Sequence, residues 1–377
     1  MRFYKSIKTV IVYIMCKSKE VRGFRGPLLC AVFVFCCIAC SGKNSAARGK
    51  TLPSQTRPVL GTVCTIQLFE NGRQKYYDAL FERLSEIEAH MSVNIPSSDI
   101  ARVNAAAGLE AVEVHEDTFK VVKTALDFAA LTDGAFNPAG GALVQLWNIG
   151  GDTPHLPSQK EIDNALSYCD WRTVVLEGAQ KTDGAQNGTR SKKPSIFLTQ
   201  KGTALDLGGI AKGYAADELA NMLRSFHITS AIIDLGGNIY AVGKKTGGVH
   251  WRVGIKNPFD STGAPALAIA LKDTSVVTSG VYERFFEKDG KRYHHLLDYT
   301  TGMPADNGLM SVTIINRSSM NADALATAVF VMGKEKGLKF LHEHNIDGLC
   351  IDNNGVIGVS ATLQGGIEIL DSTFKIE

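Results

Sequence analysis

The sequence predicts an α+β fold with mixed sheets and packed helices. Apolar residues at helical spacing indicate helices at 77–91 and 321–332, and short apolar runs indicate strands at 196–199 and 230–235. Strands and helices do not alternate in the strict order that a doubly wound parallel sheet requires. The chain has 377 residues, 45% of them hydrophobic, so it can bury a large core.

Two helices are predicted in the first half of the chain. The first has an apolar stripe formed by Tyr77, Leu80, Phe81, Leu84, Ile87 and Met91. The second has its apolar face at Phe119, Val122, Leu126 and Ala129. We expect this helix to begin at Asp117-Thr118 and to end at Asp133-Gly134, because these residue types favour helix starts and stops. The apolar segment before both helices, at 59–69, is predicted to be one extended stretch.

The second half is predicted to contain more strands. Apolar segments predict strands at 250–255 and 266–272, and Asp289-Gly290 predicts the turn of a hairpin between aromatic strands. A further helix is predicted at 334–344, and a final hairpin follows it. The polar loop at 178–195 is expected to be mobile and without a functional role.

The first forty residues resemble an export signal. Four basic residues between Lys17 and Arg25 precede an apolar run at 27–40, which is too short to span a membrane as a helix and has the length of a signal-peptide core. The run ends in Ala39-Cys40, as in a bacterial lipobox, although Cys37 replaces the Leu that is usual there.

We therefore predict a lipoprotein-type signal peptide at 1–39, lipidation of Cys40 and a tether at 40–56. A single catalytic unit would occupy 57–377. The lipid anchor would hold it at the membrane, on the periplasmic side of the inner membrane. Plain secretion and an uncleaved anchor are the alternatives.

Composition excludes several other classes. The formal net charge is only +2, and basic residues are scattered, so nothing indicates a nucleic-acid partner. Five of the eight cysteines lie at or before Cys40, and Cys64, Cys169 and Cys350 are far apart. This spacing fits neither a disulfide framework nor a zinc site. The stretch GGNIYAVGKK at 236–245 does not have the glycine spacing of a phosphate-binding Walker motif.

The motif DLGG occurs twice, at 206–209 and 234–237, each time at the apparent end of a strand. After the first copy a helix is predicted to start near Ile210, with Lys212 in its first turn. Helix N-termini carry unpaired N–H groups and a partial positive charge, so this turn suits a phosphate, although a purely structural tight turn fits equally well. The second copy ends a predicted strand and is expected to form the wall of the same cavity.

Two further sets of residues could bind a metal ion or transfer a proton. Asp323 and Thr327 are four residues apart on a predicted helix and so point from one face. Their oxygens suit Mg²⁺ when a substrate phosphate completes the shell, but this spacing also occurs in helices without any ligand. His294 and His295 are adjacent on a strand and face opposite sides, so at most one would enter a pocket, near Asp298.

Six ordered blocks resemble the ApbE-type FAD:protein FMN transferases, over roughly residues 57 to 365. They are TDGAFNPAGGALVQLW, DLGGIAKGYAAD, DLGGN, TSGVYERFFE, HHLLDYTTGMP and ADALATAVFVMG. The resemblance implies an exported, T-fold-like α+β protein that binds FAD and Mg²⁺. Such enzymes cleave the FAD pyrophosphate, move FMN to a Thr or Ser hydroxyl of a partner redox protein and release AMP.

The resemblance also implies roles for individual residues. Asp323, Thr327 and the backbone carbonyl of Gly209 would hold the metal, and His295 would be the base, with Asp298 as its orienter. The remaining positions would contact FAD or close its pocket: Asp206, Lys212, Ala135, Phe136, Asn137, Leu297 and Leu60.

Two positions depart from the family pattern. Asn94 stands where the family usually has Tyr, and Asn cannot stack on a flavin ring, so water would reach the FAD more easily. We therefore expect hydrolysis of FAD to FMN and AMP beside or instead of transfer. Asn137 stands where the family tends to have Asp, which weakens the case for a charged contact there. The alternative functions are a non-catalytic, lipid-anchored flavin-binding protein and a structural surface lipoprotein.

Overall fold

The computed structural model describes residues 52–178, 193–245, 247–363 and 366–377. The predicted signal peptide, Cys40 and most of the predicted loop at 178–195 lie outside these ranges. The described chain contains these α-helices: α1 Gln74–Met91, α2 Asp99–Ala105, α3 Glu116–Leu131, α4 Gly141–Trp147, α5 Gln159–Leu166, α6 Ala211–Ser225, α7 Ser319–Met332 and α8 Lys334–Glu343.

The strands, in chain order, are β1 Gln55–Val59, β2 Thr62–Leu68, β3 Val112–Glu113, β4 Val174–Glu177, β5 Ser195–Leu198, β6 Ser230–Leu235, β7 Asn238–Gly243, β8 Trp251–Lys256, β9 Pro265–Leu271, β10 Thr274–Gly280, β11 Phe285–Lys288, β12 Lys291–His294, β13 Leu297–Asp298, β14 Met303–Pro304, β15 Leu309–Asn316, β16 Asp347–Asp352, β17 Val356–Val359, β18 Ile367–Ile369 and β19 Lys375–Ile376. Short 3₁₀ turns occur at Trp171–Thr173 and Ala361–Leu363.

A nine-stranded sheet forms the centre of the described chain, in the order β1-β2-β6-β7-β10-β15-β16-β17-β19. Its neighbours are antiparallel except for the parallel pair β17 and β19. Helices pack beside this sheet instead of connecting parallel strands, which confirms the predicted α+β class. No helix among the described residues is both long and apolar enough to cross a bilayer.

One face of the sheet is covered by α1, α6 and α7. Helices α6 and α7 approach closely at Gly213, where a Cβ would lie 2.3 Å from the carbonyl oxygen of Ser319. Helix α7 is apolar on nearly all sides, as expected of a helix surrounded by protein. Its N-terminus is capped by Asp217, which accepts hydrogen bonds from the backbone N–H groups of Ser319 and Met320. Helix α7 is therefore fixed in position relative to α6.

A second layer covers part of the opposite face. The small sheet β18-β9-β8 packs its apolar side chains against those of the central sheet. A third apolar cluster joins α4 and α5 to the β11–β12 hairpin through Leu143, Trp147, Ile162 and Tyr293. The hairpin turns at Asp289-Gly290, as predicted.

Several predicted elements match closely, and three need correction. The buried residues of α1 are the six that were predicted. The segment at 59–69 is not one extended stretch, because the chain reverses at Leu60-Gly61, both with positive φ, to pair β1 with β2. Helix α3 starts one residue before Asp117, and His115 caps it by accepting from the Asp117 N–H at 3.2 Å. The run before the first DLGG forms only an isolated bridge between Gly140 and Ala204.

Candidate active site

The first DLGG motif forms a turn that leads directly into α6. The Asp206 Oδ1 atom accepts a hydrogen bond from the Gly208 N–H at 2.7 Å, and the Asp206 N–H donates to the carbonyl of Pro138 at 2.9 Å. Helix α6 begins at Ala211 after Ile210, as the sequence predicts. The helix N-terminus is therefore held next to the loop that contains Pro138.

Asn137 holds that loop in shape. Its buried amide donates from Nδ2 to the carbonyl of Cys169 at 2.7 Å and accepts at Oδ1 from the Ala139 N–H at 2.9 Å. Because an ionised Asp could not donate to a carbonyl, Asn suits this position. Both amide ends are occupied by backbone groups, so the side chain organises the loop. A direct contact between Asn137 and the nucleotide stays a prediction.

Asp323 and Thr327 of α7 meet the start of α6. Asp323 is almost completely buried, and its Oδ2 accepts a hydrogen bond from the Gly213 N–H at 2.9 Å. Its Oδ1 lies 3.7 Å from the Nζ of Lys212. A Cβ built on Gly209 would lie 3.3 Å from the Thr327 Oγ1. The predicted metal residues are thus brought together at one point, with a lysine beside them.

Phe136 closes one side of this point. The same Cβ on Gly209 would lie 3.1 Å from the Phe136 ring, which is itself buried. Ala135, the preceding residue, is half-buried against the main core. Lys212 Nζ also donates to the Gly208 carbonyl at 3.0 Å, so its ammonium group is fixed over the turn. This arrangement combines a cation, a carboxylate, a hydroxyl and a glycine backbone without a side chain between them.

The second DLGG motif is the turn between β6 and β7. Gly236 and Gly237 both have positive φ, and the Gly237 N–H donates to the Asp234 Oδ1 at 2.9 Å. Burial raises the pKa of Asp234. A Cβ on Gly237 would lie 3.7 Å from the Glu283 Oε1. This turn therefore lies next to the segment that follows β10.

Glu283 connects the two turns electrostatically. Enclosure by the surrounding protein raises the pKa of its carboxyl group, although part of the side chain is accessible, and the positive charges of Lys212, Lys256 and Arg284 act in the opposite direction. Lys212 belongs to the first glycine turn, so Glu283 lies within electrostatic reach of both turns. That the two turns border one cavity stays a prediction. Glu283 and Arg284 were not predicted to be site residues. The signal that could have identified them is a charged pair before an aromatic strand.

His295 follows β12 and has one ring nitrogen already engaged. Its Nδ1 is 3.2 Å from the carbonyl oxygen of Arg284, and its backbone N–H donates to the same oxygen at 3.1 Å. A carbonyl can only accept, so this contact places the proton on Nδ1 and leaves the Nε2 lone pair free. Burial and, after it, the Arg284 charge lower the pKa of His295 to about 3. The ring is therefore neutral at physiological pH and can accept a proton.

The carboxylate of Asp298 accepts hydrogen bonds from Thr300, within the turn that follows it. Its Oδ1 accepts from the Thr300 N–H at 2.8 Å and from the Thr300 Oγ1 at 2.7 Å. The Arg284 carbonyl, not Asp298, contacts the His295 ring, so the orienting role of Asp298 stays a prediction. The adjacent Leu297 is buried and pairs with Pro304 across β13 and β14.

The β1–β2 turn contacts Arg284, the residue whose carbonyl holds His295. Leu60 has φ 57° and packs against the main core, and the carbonyl of the next residue, Gly61, accepts from the Arg284 guanidinium at 3.4 Å. The Gly61 N–H donates to Glu88 of α1 at 3.2 Å. Exposed Asn94 lies in the loop after α1. Its place relative to bound FAD stays a prediction.

Tyr299 was also not predicted to be a site residue. A Cβ on Gly140 would lie 2.2 Å from the Tyr299 hydroxyl, so the ring lies directly over the loop that contains Phe136. Burial and, after it, the negative charge of Asp206 raise the pKa of Tyr299. The phenol therefore stays protonated and is a hydrogen-bond donor close to the first turn. Its signal in the sequence is an aromatic residue directly after Asp298 in the HHLLDYTTGMP block.

Known proteins resemble this chain over most of its length. The sequence profile of the ApbE family matches residues 60–350. A Treponema pallidum (strain Nichols) protein named FAD:protein FMN transferase is 39% identical and covers 91% of this chain and 97% of its own length. A Klebsiella pneumoniae (strain 342) protein with the same name is 34% identical and covers 86% of this chain and 96% of its own length.

Solved structures show the same fold. The crystal structure of the ApbE protein from Thermotoga maritima superposes with a TM-score of 0.74 at 34% identity, covering 83% of this chain and 98% of that one. The flavin transferase ApbE from Vibrio cholerae superposes with a TM-score of 0.72 at 28% identity, covering 82% and 97%. Since the family profile spans most of the chain and the relatives align almost over their full length, this chain belongs to the ApbE family.

Proposed function

We propose that the chain is an FAD:protein FMN transferase that works with Mg²⁺. The observation that carries this proposal is the meeting of Gly209, Asp323 and Thr327 at the N-terminus of α6. Such a point attracts a phosphate and provides hard oxygen donors. The names of the Treponema and Klebsiella relatives support the same reaction.

The residues present fit a magnesium ion. The Thr327 Oγ1 makes no hydrogen bond to a described residue, and Gly209 leaves its surroundings free of a Cβ that would crowd Phe136 and Thr327. The described residues contain no group of three or more His, Cys, Asp or Glu side chains suited to a metal. At the start of α6, a cation would be held by Asp323, Thr327 and the Gly209 carbonyl, with substrate oxygens completing its shell. A bound Mg²⁺ would neutralise charge on the pyrophosphate.

The chain's own residues supply the proton transfer and the positioning. A Thr or Ser hydroxyl of the acceptor would attack the phosphorus of the FMN half, and the bond from that phosphorus to the bridging oxygen would break. AMP leaves with the bridging oxygen, and the hydroxyl proton passes to the Nε2 of His295. Lys212 would bind the non-bridging oxygens, and Phe136 would pack on the adenine side. General base catalysis of this kind contributes ~10²–10⁴-fold.

The partner would be a redox protein that carries the receiving Thr or Ser. Lipidation of Cys40 would anchor the chain on the periplasmic side of the inner membrane. The apolar run at 27–40 and the Cys that ends it support this location. The polar tether up to residue 56 would leave the catalytic unit free to meet its partner.

Hydrolysis of FAD is the second proposed activity. Asn94 is exposed and has no aromatic ring to cover a flavin. Water could therefore take the place of the acceptor hydroxyl, and the products would be free FMN and AMP. A protein that only binds FAD would release neither.

Incubation of the purified protein with FAD, MgCl₂ and a flavin-free acceptor protein tests the proposal. Mass spectrometry should show the acceptor heavier by one FMN, with AMP formed in equal amount, and EDTA should stop both. A sample without acceptor measures hydrolysis through AMP alone. Intact FAD after hours, together with tight binding, would overturn the enzymatic proposal in favour of a flavin-binding protein.

A further inference from the structure

A second cleft lies at the opposite end of the central sheet from the candidate active site. It has a volume of about 520 Å³ and is formed where β2 and β7 end and where β6 and β10 begin. The glycine turn at the active site follows the other end of β6. Since β6 has six residues, the two sites are about 20 Å apart along the strand.

The cleft carries a net positive charge. Lys244, Lys245 and Lys272 line it, and none of the three forms an ion pair with a described residue. Glu70 is the one acidic residue lining it within the described chain. Its Oε1 accepts from the Thr229 N–H at 2.6 Å and from the Thr229 Oγ1 at 2.7 Å, so this carboxylate is bonded to Thr229. The three lysines outnumber it.

A buried hydroxyl in the cleft has no partner. Ser230 lines the cleft, its side chain is 6% exposed, and its Oγ has no hydrogen-bond partner among the described residues. A buried hydroxyl without a partner is destabilising unless a ligand or water satisfies it. The lining of the cleft therefore combines an unpartnered hydroxyl with three ammonium groups that form no ion pair with a described residue.

We propose that this cleft binds a phosphate group. Phosphate oxygens accept from both ammonium groups and hydroxyls, and the net positive charge of the cleft would attract a phosphate anion. The phosphate could be free in solution or belong to a phospholipid headgroup. The headgroup has extra support, because Val249 is 61% exposed and its carbonyl accepts from the Lys245 N–H at 2.9 Å, so an apolar side chain stands beside the lysines.

The cleft also lies at the end of the structure from which the chain would lead to the proposed membrane anchor. The N–H of Leu52, the first described residue, donates to the Gly72 carbonyl at 3.0 Å, two residues after Glu70 of the cleft. The segment that precedes Leu52 therefore enters the structure at the cleft end. A lipid at Cys40 would be within reach through about twelve residues, which extend at most ~40 Å. The phosphate site itself does not depend on this anchor.

Calorimetric titration of the full-length protein in a neutral detergent tests the proposal. The probes are inorganic phosphate, dihexanoyl phosphatidylglycerol and dihexanoyl phosphatidylcholine. Replacing Lys244, Lys245 and Lys272 together by Ala should weaken anion binding at least tenfold, because each lysine near a phosphate contributes on the order of 1 kcal/mol. Ser230→Ala should weaken it roughly three- to tenfold.

A matched triple variant controls for the loss of charge. Lys160, Lys201 and Lys336 are exposed and do not line the cleft, so their replacement by Ala should leave binding unchanged. Both triple variants should retain the rate of AMP release from FAD, since the cleft lies at the other end of the sheet.

The probes distinguish the two sources of phosphate. Tighter binding of phosphatidylglycerol than of inorganic phosphate identifies a headgroup site, and equal binding identifies a free phosphate. The proposal is overturned if no anionic probe binds saturably. It is also overturned if the cleft triple variant binds as well as the wild-type protein.

Discussion

The Lys212 ammonium group lies 3.7 Å from the Oδ1 of Asp323, although 110 residues separate these two side chains in the sequence. The other oxygen of Asp323 accepts the Gly213 N–H of the helix that carries Lys212. Helix α7 is thereby tied to the N-terminus of α6 through one carboxylate. In the proposed complex, Mg²⁺ would bind the same oxygen that Lys212 now faces, so Lys212 would turn towards the substrate phosphates.

Removal of either proposed metal ligand should abolish most of the activity. Asp323→Ala and Thr327→Val should each lower kcat/KM for AMP release by roughly 100-fold or more, because metal-ion charge stabilisation contributes several kcal/mol. Thr327→Ser keeps the hydroxyl and is the matched control, with activity close to that of wild type. Equal activity of the Val and Ser variants would contradict a metal-binding role for this hydroxyl.

Gly209→Ala should weaken the dependence of FAD binding on Mg²⁺. The new Cβ would lie 3.1 Å from the Phe136 ring and 3.3 Å from the Thr327 Oγ1, so one of them must move by a few tenths of an ångström. Since small displacements at a reacting centre are costly, we expect a roughly 10- to 100-fold loss in kcat/KM with little change in Tm. Flavin fluorescence with and without MgCl₂ measures binding. Gly366→Ala, where the Cβ meets only ordinary contacts, is the control.

The pH profile of the transfer reaction should show that His295 stays neutral down to at least pH 5. Because the pKa of free-enzyme His295 is lowered to about 3, the ring remains unprotonated at pH 5. The kcat/KM for transfer should therefore not fall between pH 7 and 5 through protonation of His295. An acid limb near pH 6.5 that disappears in His295→Gln would contradict this assignment. At pH 7, His295→Gln should lower the rate of transfer by ~10²–10⁴-fold, with exposed His155→Gln as the control.

Asn94→Tyr should suppress hydrolysis of FAD without an acceptor. An aromatic ring at this exposed position would stack on the flavin and exclude water, and we expect AMP release to fall up to about tenfold, the effect of about 0.5–1.5 kcal/mol of stacking. Ser97→Tyr adds an aromatic ring at another exposed position of the same loop and should have no such effect. Unchanged hydrolysis in Asn94→Tyr would refute the role of Asn94.

Protein stability should fall as the pH decreases from about 6.5 to about 4, in part because of His294. Its Nε2 lies 3.2 Å from the Ala305 carbonyl, and its Nδ1 accepts from the Leu296 N–H, so the neutral ring is fully bonded. Burial lowers its pKa from 6.5 to about 4. Within this window the unfolded chain binds the proton that the folded chain rejects, so acid favours unfolding, by about 3 kcal/mol in all.

Urea unfolding at several pH values measures this effect. Between about pH 4 and 6.5 the free energy of unfolding should depend less steeply on pH in His294→Gln than in the wild-type protein. The difference between the two slopes should be about 1.4 kcal/mol per pH unit. His155→Gln is the matched control for the loss of one imidazole. An unchanged slope in His294→Gln would show that this ring does not titrate on unfolding.

Local patterns in the sequence predicted the individual elements well. The stripe of α1 gave all six of its buried residues, because helical spacing alone decides which side faces the core. The β1–β2 turn was missed because Leu60, which favours neither positive φ nor turns, occupies its left-handed position. The isolated bridge before the first DLGG was predicted to be a strand, since an apolar run does not reveal whether it has a partner.

The sequence motifs identified residues of the candidate site, but the contacts between those residues could not be predicted. Motif blocks identified Gly209, Asp323 and Thr327, but only folding brings α6 and α7 together at Gly213. The tautomer of His295 follows from the Arg284 carbonyl, a backbone group that no side-chain pattern can predict. Glu283 was missed for a similar reason, because its importance comes from its proximity to Lys212.

Strand β6 separates the entry point of the chain from the reacting centre by its full length. A protein docked on a lipid surface through the proposed phosphate cleft would hold that centre at the far end of β6 from the lipid. An acceptor buried in the bilayer would then have to raise its hydroxyl on a segment of about 20 Å or more. Only acceptors with a Thr or Ser on such a protruding segment, or soluble acceptors, would be modified.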